Sequence, residues 1–465
     1  MKWSSIADKN TSLILVYILF VSFATSLYYC LTLPVSFDES CTFILFTNKG
    51  FYTAISQYPA PNNHVLFSIL TTFTNQIPTL SNLLKIRLVS IGINILTLLS
   101  LYRFISFFYN RKMALLIVCV FSLLFLNIYY SYMARGYGLI NLFFINCLYY
   151  TFKICNEIPT RISFVWLGLF SLLGLYTIPT FIYPILTLLT FIVLIKPHLF
   201  WSLSALFITV LIVCALLYSP ILYNCGIESI TNNRFVKPMT LLQTLKSLPF
   251  YFPSAISQIT GLHWSILAVL LSWSYYKIVQ SGHKFEIYFA IVCILAPAVL
   301  LCLQRVNPFA RVFNYYSLLI VLIIFIPYKN YIESLKLRYV IYSIVIFQFI
   351  LLYNFNSHIL NYEDKDSALN ITSDTIIKQM VGNKKYFFNG TLLRYNLEFN
   401  LLSNGYQNYT IVEPEKKYIS ADTIDNYDFV VTELEWDKTK KKQPLFLTKY
   451  YAIYSNTIFR SKKID

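Results

Sequence analysis

The chain is predicted to be an α-helical polytopic membrane protein of about 11 transmembrane helices, followed by a small C-terminal α/β domain. Three observations carry this. Of 465 residues, 57% are hydrophobic and 12% charged, whereas soluble domains carry roughly 25% charged residues. Apolar runs of about 17 to 22 residues, the length a helix needs to cross a bilayer, recur from Leu13 to Leu352. From about residue 356 onward Asp, Glu, Asn and Lys become frequent, and the apolar runs shrink to strand length.

Taken in order, the candidate spans are 12–33, 83–102, 113–131, 137–152, 163–176, 178–195, 199–218, 262–279, 285–303, 312–328 and 339–355. The first is too long for the apolar core of a signal peptide and no small-x-small cleavage site follows it, so it reads as a retained anchor. Residues 64–78 are apolar but short, which suits an interfacial or re-entrant helix better than a span. If they do not cross, Arg103, Arg111, Lys112, Lys153, Arg161, Lys196, Lys277, Lys284, Lys329, Lys336 and Arg338 all fall in short loops on one side. The positive-inside rule makes that side cytoplasmic. The amino terminus is then inside, and loops 34–82 and 219–261 and the C-terminal domain are outside.

This places a transmembrane domain at 1–355 and a soluble α/β domain at 356–465, with strands at Lys385–Phe388, Tyr409–Val412 and Asp428–Thr432 and a helix at Leu392–Leu402. The net charge of +16 is accounted for by membrane orientation, without nucleic acid. The nine cysteines form no CxxC or Cys/His metal spacing. Cys41 and Cys225 alone fall in outer loops, where a pairing is open but not favoured. N-x-[ST] sites stand at Asn370, Asn389 and Asn408.

The chemistry is expected in the outer loop after the first span. Ser36-Phe37-Asp38-Glu39-Ser40 puts two adjacent acids near the head-group level, where charge is costly unless it is used or paired. Neighbours on a helix point about 100° apart. One acid can therefore face a cavity while the other meets a metal, a cation or a helix end. The competing reading is that Asp38 caps an interfacial helix and Glu39 is solvated.

Tyr58-Pro59-Ala60-Pro61-Asn62-Asn63-His64 forms a rigid turn before an apolar helix, with Asn62 or Asn63 as its cap. His64 could bind a sugar or a phosphate, or serve as a metal ligand beside an acid; it could equally be structural. Arg135 and Tyr137, in Ala134-Arg135-Gly136-Tyr137, join two spans on the outer side. With Arg305, Arg311, Lys85 and Arg87, Arg135 makes a set of cations able to hold a phosphate head group. Each of them alone could instead anchor a helix end. P-loop, GxGxxG, HExxH and GxSxG motifs are absent from the sequence, which leaves nucleotide-driven transport and serine-type hydrolysis without support.

The Asp38-Glu39 pair after the first span, the Tyr-x-Pro then Asn-Asn-His turn and the Ala-Arg-Gly-Tyr junction resemble the integral-membrane GT-C glycosyltransferases. The nearest branch is the protein O-mannosyltransferase and aminoarabinose-transferase superfamily. The resemblance covers residues 12–355 and is strongest over 34–70. It implies a glycosyltransferase that moves a hexosyl or pentosyl group, with inversion, from a polyprenyl-phosphate-linked donor to a glycan, lipid or protein acceptor at the outer face of the cytoplasmic membrane. It further implies Asp38 as the general base and Glu39 as its assistant or the holder of a cation, with a divalent metal at Asp38, Glu39 and His64. Arg135, Arg305 and Arg311 would hold the lipid phosphate, and Tyr58, Asn63, His64, Lys85 and Tyr137 would complete the substrate site. No Glu-Lys-Pro-Pro follows the acids, unlike in the aminoarabinose transferases, so the sugar and the metal stay open. The alternative reading is a flippase, ligase or polymerase of lipid-linked glycans. A flippase would carry polar groups mid-span, and the spans here are nearly uncharged.

Overall fold

The computed structural model describes the chain except residues 1–5, 60–61, 158, 232–235, 379–384, 389–390, 407–408, 413–426, 435–443 and 456–465. Its first part runs α1 (Ile6–Thr32), α2 (Phe37–Thr42), α3 (Phe51–Ser56), α4 (Val65–Thr74), α5 (Asn82–Phe108), α6 (Arg111–Ser122), α7 (Phe125–Tyr132) and α8 (Tyr137–Asn156). Then follow α9 (Arg161–Thr177), α10 (Ile182–Ile195), α11 (Phe200–Cys225), α12 (Glu228–Thr231), α13 (Leu241–Thr260) and α14 (Trp264–Ser281). The bundle closes with α15 (Lys284–Gln304), α16 (Tyr316–Phe325), α17 (Lys329–Ser334) and α18 (Leu337–Tyr362).

Among the described residues seven helices are long and apolar enough to cross a membrane, or up to nine if two bent pairs each count as one span. The protein is a multi-pass helical membrane protein, as expected. Every expected span falls on a helix, but two of them, α9 and α10, are shorter than a bilayer crossing requires. Span 113–131 is α6 and α7, meeting at 73°. There the Asn127 side chain donates to the Phe121 carbonyl at 2.7 Å, bracing the break. Span 262–279 is α14, folded back at 97° from α13 through Gly261, whose φ of 77° suits a glycine. Helix α4 has ten residues and so rises about 15 Å, half a hydrocarbon core. The expected short helix at 64–78 is there.

The bundle core is aliphatic and aromatic, centred on α5, α6, α7, α8 and α16. Beyond it lie α19 (Asp364–Lys378) and α20 (Thr391–Ser403) with strands β1 (Lys385–Phe388), β2 (Thr410–Val412), β3 (Phe429–Glu433), β4 (Phe446–Leu447) and β5 (Tyr451–Ser455). The sheet order is β2-β1-β3-β5-β4. Strand β1 pairs parallel with β2 and β3, while β5 pairs antiparallel with β3 and β4. Leu369, Ile376, Leu393, Leu397 and Leu401 of the two helices pack with Phe429, Val431 and Ile453 of the sheet. The three expected strands and the helix between them are present within a residue or two. Helix α19 was not expected, and α18 runs unbroken to Tyr362, past the expected boundary at 355.

Candidate active site

Two acids, two environments. Ser36 caps α2 and forms a capping box with Glu39: the Ser36 hydroxyl accepts from the Glu39 amide at 3.2 Å, and the Ser36 amide donates to Glu39 Oε2 at 3.0 Å. The box turns Glu39 inward, and the 100° offset turns Asp38 the other way.

Glu39 is wholly buried against Arg87, which is 1% exposed. Arg87 donates from Nε to Oε1 at 2.8 Å and from Nη2 to Oε2 at 2.7 Å, the bidentate geometry that suits a carboxylate. The Ala134 amide also donates to Oε1, at 2.8 Å. Arg87 spends its remaining donors on the carbonyls of Cys30, Leu33 and Pro34. The pair ties α1, α2, α5 and the α7–α8 junction together. Glu39 therefore has no free edge for substrate or metal, which corrects the expectation that it assists chemistry. Arg87 belongs to the scaffold and not to a phosphate site.

Asp38 faces the cations instead. Arg311 Nη1 donates to Asp38 Oδ2 at 2.7 Å, and Arg135 Nε lies 3.8 Å from the same oxygen. Burial pushes the Asp38 carboxyl up, but Arg135 and Arg311 outweigh it and hold it below the ordinary aspartate value. Arg311 is brought here by a short helical turn at Ala310–Phe313, more than two hundred residues away in sequence. Tyr130, Tyr137 and Tyr362 stand within electrostatic reach of its guanidinium.

Arg135 is 2% exposed. Its Nη1 donates to the Asn62 carbonyl at 2.9 Å, and Nη2 lies 3.2 Å from His64 Nε2. The next residue is Gly136, whose amide donates to His64 Nδ1 at 2.7 Å. A Cβ at Gly136 would come within 2.8 Å of Thr177 Cγ2 and 2.9 Å of His64 Cβ. Only glycine fits there. Burial, then Arg135 and Arg311, push the His64 imidazole well below its usual range, so it is neutral. With Nδ1 accepting from Gly136, the single ring proton sits on Nε2 and faces Arg135. Two donors meet with no acceptor between them. Arg135 Nε, beyond hydrogen-bond reach of Asp38, and Asn62 Nδ2 are likewise buried donors without a hydrogen-bond acceptor.

The other expected residues divide. Tyr137 packs edge-on to His64, with centroids 5.0 Å apart, and against Tyr130 at 4.5 Å, so it lines the site. Tyr58 is buried in a cluster with Val65, Tyr176 and Tyr218, close enough for Arg135 to act on its hydroxyl, although burial still lifts that hydroxyl to about 12. Asn63 is a staple of the turn. Its amide donates to the Ala54 and Gln57 carbonyls at 2.9 Å each, and its oxygen accepts from Ser68. Arg305 is exposed at the left-handed C-cap of α15, its carbonyl accepting from Met239. Lys85 sits two residues before Arg87, about 200° around α5. Neither Arg305 nor Lys85 joins Asp38.

The proposed metal trio is not assembled. Glu39 is taken by Arg87, and His64 Nδ1 by the Gly136 amide. Among the described residues no group of three His, Cys, Asp or Glu side chains could hold a metal ion. Cys41 and Cys225 are both free thiols. Asn370 is buried and hydrogen-bonded, so it is no glycan acceptor in the folded chain; Asn389 and Asn408 lie outside the described residues.

Two acids that sequence reasoning passed over lie behind α2. Glu363, where α18 meets α19, is 3% exposed and its Oε2 has no partner. Burial, with the neighbouring Asp366 charge, lifts it to about 8 although the Tyr129 hydroxyl stands beside it. Asp366 is lifted to about 7 by burial, against the pull of the Phe37 amide, and by Asp38 and Glu39. A cavity of about 380 Å³ lined by Phe108, Phe152, Phe285 and the Glu286–Lys329 ion pair lies at the far end of α5, away from this site.

No family profile and no curated protein matches the sequence. Solved structures do. ArnT from Cupriavidus metallidurans in the apo state superposes with a TM-score of 0.66 at 10% identity, covering 97% of this chain and 98% of that one. ArnT from the same organism bound to undecaprenyl phosphate gives 0.65 at 9% identity, over 96% and 97%. The likeness shows an ArnT-type, GT-C-like fold over 97% of the chain.

Proposed function

We propose that the chain is a glycosyltransferase that moves a sugar from a polyprenyl phosphate to an acceptor hydroxyl or amine, with Asp38 as the base. The observation that carries this reading is a pair of buried donors without hydrogen-bond acceptors, Asn62 Nδ2 and Arg135 Nε, the latter 3.8 Å from the Asp38 carboxylate, with His64 Nε2 facing Arg135 Nη2 beside them. Buried orphan donors cost about 1–3 kcal/mol each, a cost that an oxyanion placed among them would relieve. A neighbouring carboxylate supplies the remaining requirement of a displacement at an anomeric carbon, a group to take the acceptor's proton. The likeness to a fold whose solved examples include one bound to undecaprenyl phosphate supports phosphate as the anion.

In the reaction, an acceptor O–H or N–H aligns on Asp38. Its heteroatom bonds to the anomeric carbon from the face opposite the phosphate, and its proton passes to the Asp38 carboxylate. The bond from carbon to phosphate oxygen breaks with its electron pair, giving polyprenyl phosphate and an inverted glycoside. Arg135 and Arg311 stabilise the leaving charge. In the empty site Arg311 binds Asp38 and makes it a weak base. A donor phosphate draws the guanidinium to itself and lets the carboxyl regain basicity. The reaction is placed at the outer face of the cytoplasmic membrane, with the C-terminal unit on that side. In this reading the charge of the leaving phosphate falls to Arg135 and Arg311.

The test is identification, by native mass spectrometry, of lipid that co-purifies with the protein. A polyprenyl phosphate, bare or sugar-bearing, is expected. Only bulk phospholipid, unchanged when undecaprenyl phosphate is added, would remove the donor from the account.

A further inference from the structure

Helix α2 is six residues long, far too short to hold itself in place. Its lower side is fixed by Glu39 and Arg87. Its upper side is held by residues more than three hundred positions away. The Phe37 amide, one of the first-turn donors that a helix leaves unpaired, donates to Asp366 Oδ1 at 2.9 Å. The Val35 carbonyl accepts from Asn370 Nδ2 at 2.6 Å and from Asn396 Nδ2 at 3.2 Å. The Ser40 hydroxyl donates to Asn396 Oδ1 at 2.8 Å.

These partners are not scattered. Asp366 and Asn370 are four apart on α19, and Asn396 and Asn400 four apart on α20, so each helix turns one polar stripe to the same segment. Asn400 Nδ2 donates to Asn370 Oδ1 at 3.2 Å and locks the two stripes together. Rings fill the flanks: Phe43 meets Phe399 edge-on at 5.1 Å, and Phe37 meets Tyr395 at 6.1 Å. Phe37 also packs into the core of the C-terminal unit.

We propose that Asp366, Asn370 and Asn396 are positioning residues for the reaction: the C-terminal unit holds the 35–40 segment so that Asp38 reaches the reacting atoms. The proposal rests on the reading of Asp38 as base and gives the C-terminal unit a role in the reaction. A general base works only within hydrogen-bond reach of the proton it takes, and a misplacement of about 1 Å can cost on the order of a hundredfold. Asp38 sits on the residue immediately after the amide that Asp366 holds. Loss of that hold therefore moves the base directly. Arg135 and His64 are pinned from Asn62 and Gly136, with a single longer contact to α2, from Arg135 Nη1 to Thr42 Oγ1 at 3.3 Å, so they shift less than Asp38 does.

The experiment combines kinetics with hydrogen-exchange mass spectrometry on the full-length protein, comparing Asp366→Ala, Asp366→Asn, Ser40→Ala and Asp38→Asn. The proposal expects Asp366→Ala to lower kcat about tenfold or more with KM for the donor unchanged. Asp366→Asn, which keeps an acceptor for the Phe37 amide, restores most of the rate. Exchange should rise about tenfold in peptides covering 34–47, while α8 and β3 stay protected. If Asp366→Ala exposes β3 as well, Ser40→Ala carries the test, because it cuts the contact from the α2 side. Unchanged exchange at 34–47 in both variants overturns the proposal. So does wild-type kcat in both variants beside an inactive Asp38→Asn. An active Asp38→Asn would sink the base reading instead. The exchange result would then still decide whether α2 is held from above.

Discussion

Glu39→Gln separates scaffold from chemistry in a pair of adjacent acids. In the folded chain Arg87 is 1% and Glu39 0% exposed, with two N–H···O bonds of 2.7 and 2.8 Å between them. Glutamine preserves the shape but removes the charge and turns one acceptor into a donor facing Arg87. Breaking a buried pair from one side costs about 3–5 kcal/mol, because the other ion stays buried without its counter-charge. Three backbone carbonyls still solvate the guanidinium, which favours the lower end, about 3 kcal/mol. At about 2 °C per kcal/mol for a large chain, the expected fall in Tm is roughly 6 °C, measured by tryptophan fluorescence in detergent. Adding Arg87→Met should recover part of it, since the orphaned cation is then gone. Surviving Glu39→Gln protein should keep measurable turnover. A variant with wild-type Tm and no turnover would refute the reasoning and return Glu39 to the chemistry.

Two further outcomes follow from the same geometry. Arg135→Ala should weaken binding of undecaprenyl phosphate at least tenfold, while Arg305→Ala, on an exposed cap, should change it less than twofold. Equal losses in a native mass-spectrometric titration would mean that charge near the membrane matters and not the site. Glu363 titrates at about 8 in the folded chain, above the ordinary glutamate value near 4.3. A raised acid stabilises fully below its unfolded pKa, and that stability is lost as pH rises through the folded value. Tm should therefore decline between about pH 5 and 8.5, and Glu363→Gln should flatten the decline and raise Tm at pH 8.5. A wild-type slope in Glu363→Gln would show that the acid is paired after all.

Much of this was legible in the sequence because it depended on local rules. Span length marked the bundle, and the 100° offset of neighbours sent Asp38 and Glu39 to different surroundings. The Ala-Arg-Gly-Tyr junction and the Arg311 loop both reached Asp38. What was not legible depended on long-range pairing. Arg87 and Lys85 look alike on paper, and only the packing of α1 against α5 decides that Arg87 meets Glu39. Asn63 resembles a ligand until its amide is seen tying Ala54 and Gln57 together. His64 resembles a metal ligand until Gly136, seventy-two residues on, takes its free lone pair. Residues 361–366 carried no signal that was used, yet they place Glu363 and Asp366 behind the base. A local signal was present there: three acids within four residues directly after an apolar helix, where solvated linkers and buried acids look the same.

The most direct measurement is single-turnover transfer by purified Asp38→Asn from undecaprenyl-phosphate-linked sugars, with donor binding measured on the same sample. The account predicts a loss of rate of about a hundredfold or more, with donor binding equal to wild type or tighter, since Arg311 is released from Asp38. Wild-type turnover, or a loss of rate that merely tracks a loss of donor binding, would contradict it.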